Sequence, residues 1–441
     1  MLRKSGLAMV LAFFVCEVIF VSGALAQEFQ KAPIILRASD VLPRELLSDP
    51  NYTIKETVKS DGLVNLYEVD TPYGNIKVES TALLLKRVAE LRALSKIEEL
   101  KGTNVYLEAA KGAALGPVKT AEGLVTDPVG TVTGVVSGIG NFFGKVSDSV
   151  TSSDPHKDKA LNAIAGQSAF KREYAYQFGI DPYTNFEPLQ KALNDLAWTA
   201  AVGGLTVKAA MMAVPGAAGA VVGYSGTAET MRNLVRDKTP PELEKMNRAS
   251  LYDMNIVDPL ASVFLLSTTY SPLEKTFLVG ALASMTGVKD RGIFVESAAI
   301  DCEESVALFM RVRAGMMGQY FEKTRNVDRF VSAGGVPVLL TKNGVILGIF
   351  PLDHVAWTAG FGQKEMAVSD AIQKMPGVKG KELWITGTVD PVARTALEKR
   401  GWKVQDKVEG RLLNTVLKAY GPIRQGWLED RLQIAEIPIP K

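Results

Sequence analysis

Between Asp127 and Val150 the large apolar residues fall at Val129, Val132, Val136, Ile139, Phe143, Val146 and Val150, in strictly alternating steps of three and four. That spacing predicts a helix with one apolar stripe, widened by Val135 and Phe142. Gly130, Gly134, Gly138, Gly140 and Gly144 share the other side with Thr, Ser, Asn and Lys145, and Asp127 and Pro128 suit the N-cap and first helical position. Each interior glycine costs about 1 kcal/mol against alanine, so the segment does not hold a helix alone in water. Burying its bulky side chains at about 1.5 to 3 kcal/mol each more than offsets this, which means the helix needs a surface to lie against.

The interaction face is therefore Val129, Val132, Val136, Ile139, Phe142, Phe143 and Val146. If the surface is protein, a partner or a second copy, Gly130, Gly134 and Gly138 permit close backbone approach. If it is a membrane surface, the broad apolar face opposite small polar residues is similar to amphipathic lipid-packing sensors. Packing on protein is the commoner fate of such a face. A strand over Thr131 to Ser137 competes, because that stretch is rich in Val and Thr.

Elsewhere the pattern alternates between strand and helix periods. Leu63 to Val69 and Ile76 to Val78 read as a hairpin around Asp70-Thr71-Pro72-Tyr73-Gly74. Thr81 to Leu100 reads as a helix burying Leu84, Val88, Leu91, Leu94 and Ile97, capped by Ser80 and stopped by Gly102. Leu161 to Val288 is predominantly helical, and from Leu196 to Tyr224 Lys208 alone is charged. That run is rich in Ala and Gly and broken by Pro215, so it predicts a buried helical hairpin rather than a membrane span, with Ala209, Ala213 and Ala217 as a close-packing row. Helix starts are expected at Asp258-Pro259 and Ser271-Pro272, and at Asp301, which would cap a helix running to about Lys323 with Glu304 completing a capping box. Val336 to Thr341 and Val345 to Phe350 flank Lys342-Asn343-Gly344, a hairpin signal. Leu383 to Thr386, a helix from Pro391 to Arg400, and Trp402 to Val404 spell a βαβ unit, and Arg411 to Tyr420 a last helix.

The fold class read from this is α+β and multidomain: a small α+β N-terminal domain (27–101), a Gly-rich amphipathic segment with a polar linker (102–160), an apolar helical Gly/Ala-rich middle (161–290) and an α/β C-terminal domain (291–441). Residues 1–26 read as a signal peptide: Arg3 and Lys4, an apolar run from Leu7 to Val21, then Ala24-Leu25-Ala26 as the cleavage site. The predicted location is periplasmic or secreted, with membrane association following if the stripe meets lipid. Cys16 leaves with the leader, so Cys302 is the one mature cysteine and an intrachain disulfide is excluded. Net charge is +2 for the whole chain, with no basic run, which excludes a nucleic-acid partner.

Candidates for chemistry are few. Two histidines exist, His156 in a polar stretch and His354. His354 directly follows Asp353, and adjacent residues point differently, so that acid is poorly placed to orient the imidazole. Cys302 sits among Asp301, Glu303 and Glu304, charges that oppose a thiolate, and those acids read as caps rather than a metal site. Gly223-Tyr224-Ser225-Gly226-Thr227 misses the nucleophile elbow at its last position. Thr386-Gly387-Thr388, between a strand and a helix capped by Asp390, is the corner where an α/β unit can hold a ligand, without a phosphate fingerprint. No cofactor and no metal are expected. The reading is a non-enzymatic interaction protein of the cell envelope; the alternatives are a periplasmic hydrolase using His354 with Cys302 or a nearby carboxylate, and a periplasmic small-ligand binding module.

Overall fold

The computed structural model describes residues 29–115, 155–214, 227–300 and 303–412. The leader at 1–26, the stripe at 127–150, the Gly223–Thr227 near-elbow up to Gly226, Ala217, Asp301, Cys302 and the tail beyond Leu412 lie outside the described residues. The architecture is α+β, in two compact units: residues through Val88 together with those from 223 onward, and Ala89–Val222.

The first unit begins with β1 (Ile34–Arg37), short helices α1 (Ala38–Val41) and α2 (Arg44–Leu47), then β2 (Ser48–Asp49), β3 (Tyr52–Ile54), β4 (Thr57–Ser60), β5 (Asn65–Thr71) and β6 (Gly74–Glu79). The β5–β6 hairpin turns through Pro72 and Tyr73, and Gly74 takes a φ of 108° that favours glycine. Along the other edge of β5 lie β3 and β4, whose registers differ by two residues across Lys55 and Glu56, a bulge that bends the sheet. Asp61 shapes the β4–β5 turn by accepting from the N–H groups of Leu63 and Val64, each at 2.8 Å. Helix α3 (Thr81–Lys101) follows, capped by Ser80, whose Oγ accepts from the Leu83 N–H. Leu84, Val88, Leu91, Leu94 and Ile97 are all buried, as their spacing predicts.

The second unit holds the remainder of α3 with α4 (Asn104–Leu115), α5 (Pro155–Phe178), α6 (Glu187–Gly203) and α7 (Val207–Ala213). His156 stands in the first turn of α5, not in the polar loop expected for it. The apolar run beginning at Leu196 breaks at Gly203-Gly204, where Gly204 adopts a left-handed φ of 74°, and Thr206 caps α7 by accepting from the Ala209 N–H. In α7 Ala210 is buried, as is Val214 just after it, while Ala209 and Ala213 are half-exposed; a close backbone approach is at Gly203, where a Cβ would stand 2.0 Å from the Ala109 carbonyl oxygen. A helix can bring its backbone that near only where no side chain intervenes. Among the described residues no helix is long and apolar enough to cross a membrane.

The first unit resumes with α8 (Thr227–Asp237), α9 (Pro240–Asp253), α10 (Leu260–Leu266), α11 (Pro272–Ser284), α12 (Gly292–Ala298) and α13 (Glu304–Thr324). Ser271 and Glu274 form a reciprocal capping box on α11. The expected box on α13 is corrected: the helix begins at Glu304 with Glu303 at the cap position. Glu304 Oε1 accepts from Lys86 Nζ at 2.8 Å and its Oε2 from the Arg87 guanidinium at 2.9 Å. Lys86 also meets Glu274 at 3.2 Å, so a buried cation joins α3 to both α11 and α13.

Beyond α13 come β7 (Arg329–Ala333), β8 (Val336–Leu340), β9 (Val345–Phe350), β10 (His354–Val355), α14 (Ala359–Gln373), β11 (Gly380–Ile385), β12 (Thr388–Val389), α15 (Pro391–Lys399), β13 (Trp402–Gln405) and α16 (Glu409–Leu412). The main sheet runs β13-β11-β9-β8-β7, with β9, β11 and β13 parallel and β7, β8 and β9 antiparallel. Gly344, with a φ of 84°, completes the predicted β8–β9 turn.

One feature of this sheet follows from Pro337. The Thr341 N–H donates to the Val345 carbonyl, so hydrogen-bonded pairs recur at 339/347 and 337/349. Pro337 has no N–H to give Ile349. The buried Arg313 guanidinium of α13 takes that role, its Nε donating to the Ile349 carbonyl at 2.9 Å and its terminal nitrogen to that of Pro337. It lies 4.1 Å from the Phe350 ring centroid, and burial pushes its pKa down to about 9. Leu63 and Val64 of the β4–β5 turn share a core with Val338, Ile346, Trp357, Ile385 and Leu397, so the first and last parts of the chain fold as one body within this unit.

Candidate functional site

The chain leaves β9 at Phe350, passes Pro351 to Asp353 and enters β10; it leaves β11 at Ile385, passes Thr386 and Gly387 and enters β12. β10 and β12 pair in parallel, setting His354 opposite Thr388 and Val355 opposite Val389. The His354 imidazole and the Thr386–Thr388 corner, separate candidates in the sequence, are thereby brought together. His354 Nδ1 lies 3.0 Å from Thr388 Oγ1.

The backbone defines this corner closely. Gly387 N–H donates to Leu352 O at 2.8 Å, Thr388 N–H to Asp353 O at 3.0 Å and Asp390 N–H to Val355 O at 2.8 Å. The Thr386 hydroxyl donates to the Leu352 carbonyl at 2.8 Å, which commits it to the loop. A Cβ on Gly387 would stand 1.8 Å from the Asp353 carbonyl oxygen, so at this position the two segments meet main chain to main chain. Asp390 caps α15 through the Val392 N–H at 2.8 Å.

Asp353 does not orient its neighbour. Its Oδ2 accepts from the Asn65 N–H at 2.9 Å and the Thr81 N–H at 3.0 Å, joining the start of β5 to the first residue of α3. Beneath it Tyr67 hydroxyl contacts Thr81 Oγ1 at 2.8 Å and accepts from Asn65 Nδ2 at 3.0 Å. Burial is the larger influence on Asp353 and pushes its pKa up to about 6, while the N–H donors pull the other way. Burial, with the Asp353 charge beside it, likewise pushes Tyr67 upward. His354 is half-buried, which lowers its pKa against the opposing attraction of Asp390.

Sequence reasoning passed over a second polar cluster, on α14 and the adjoining strands. Glu365 Oε1 accepts from Trp402 Nε1 at 2.7 Å and from the Ser369 hydroxyl, and Lys381 Nζ donates to Ser369 Oγ at 2.6 Å. Arg400 Nε stands 3.1 Å from Glu365 Oε2, and the Lys381 ammonium lies 4.8 Å from the Trp402 ring centroid. Burial lowers the Lys381 pKa. The available signal was Glu365 and Ser369 one helical turn apart, but each is an ordinary surface residue type and their partners come from other elements. Every member is occupied by another member, as in a structural network.

A shallow concavity at the β8–β9 turn, lined by Asp328, Lys342, Asn343, Gly377 and Lys379 among others, involves neither cluster. Among the described residues no group of three or more His, Cys, Asp or Glu side chains could hold a metal ion. Compared with protein-family models, curated proteins and solved structures, the chain matches none.

Proposed function

We propose that this is an exported cell-envelope protein that acts by docking, with the apolar stripe of 127–150 as its interaction face. The three-and-four spacing of bulky residues between Val129 and Val150 carries this reading, since a glycine-rich helix of that pattern is stable only when the stripe is covered. The occupant is a protein partner or a second copy of the chain, with a membrane surface as the competing one. The use of Asp353 as a structural cap, rather than as a catalytic acid, is consistent with a role outside catalysis. The test compares the mature protein with a Phe142→Ser/Phe143→Ser variant by sizing and by flotation with vesicles of phosphatidylethanolamine and phosphatidylglycerol. Self-association predicts a smaller species for the variant, and lipid docking predicts loss of flotation. Identical behaviour in both assays removes the face from either role.

A second reading has one observation in its favour, the 3.0 Å contact of His354 Nδ1 with Thr388 Oγ1 at a loop corner. A hydrolase built there would use Thr388 as the hydroxyl group and His354 as its base. A fluorophosphonate probe would then label the protein, and Thr388→Val and His354→Gln would each abolish labelling. An unlabelled wild-type protein excludes this reading.

A further inference from the structure

We draw no further inference here: the strongest candidate, the exposed apolar patch of Val257, Val263 and Leu266 at and just before α10, carries nothing because nothing in the structure shows what covers it.

Discussion

Gly387→Ala is expected to lower stability by about 3 kcal/mol, roughly a hundredfold in the ratio of folded to unfolded chain. The new methyl would meet the Asp353 carbonyl oxygen at 1.8 Å, its carbon at 2.4 Å and its Cα at 2.8 Å. All three are main-chain atoms, so no side chain can swing aside, and relief requires parting β10 from β12. That parting also breaks the Thr388 N–H bond to Asp353 O and moves Thr388 away from His354. Gly360→Ala in the first turn of α14 is the control, because its Cβ meets nothing within 4 Å. There the substitution should be neutral or stabilising by up to about 1 kcal/mol, as for glycine in a helix. Denaturant midpoints of the two variants check this; equal midpoints would mean that the 386–388 loop does not lie against Asp353.

Asp353→Ala should cost about 3 kcal/mol, because it leaves the Asn65 and Thr81 N–H groups without their acceptor. Asp353→Asn should stay within about 1 kcal/mol of wild type, since a single amide oxygen at the Oδ2 position can accept both bonds and no charge is buried. The pH dependence separates the carboxyl from the amide. With the folded-state pKa raised from 3.8 to about 6, folding favours the protonated acid. Its stabilising contribution is complete below the unfolded value, declines as pH rises between the two, and is gone above about 6. The stability of wild type relative to Asp353→Asn should therefore rise as pH falls from 7 to 5. Chemical denaturation of both proteins across that range gives the difference directly; a flat or opposite slope would show that the N–H donors outweigh burial.

The elements legible in the sequence were those whose signal is local. The β5–β6 hairpin carried its turn in Pro72, Tyr73 and Gly74, α3 carried five apolar residues on one face, and the β11–α15–β13 unit carried Asp390-Pro391 and Gly401 as punctuation. Features settled by distant partners were not legible. Glu304 at the start of α13 pairs with Lys86 and Arg87, more than 200 positions earlier in the chain. Arg313 carries no local sign of its role, which depends on Pro337 in a distant strand. The same holds at the candidate site. Sequence order shows Asp353 to be poorly placed for orienting His354, but carries no signal that Asp353 reaches Asn65 and Thr81, or that His354 meets Thr388. The expected split at residues 101 and 290 rests on composition, which carries no record of long-range packing such as that of Leu63 and Val64 in the β8–β9–β11 core.

The docking proposal is tested most directly by site-specific photo-crosslinking in intact cells. A benzophenone amino acid replaces Phe143 on the apolar stripe or, as the control, Asn141, about 200° away around the helix. The account predicts a discrete covalent adduct from position 143, with a protein partner, a second copy or lipid, and little from position 141. No adduct from 143, or the same yield from both positions, would contradict it.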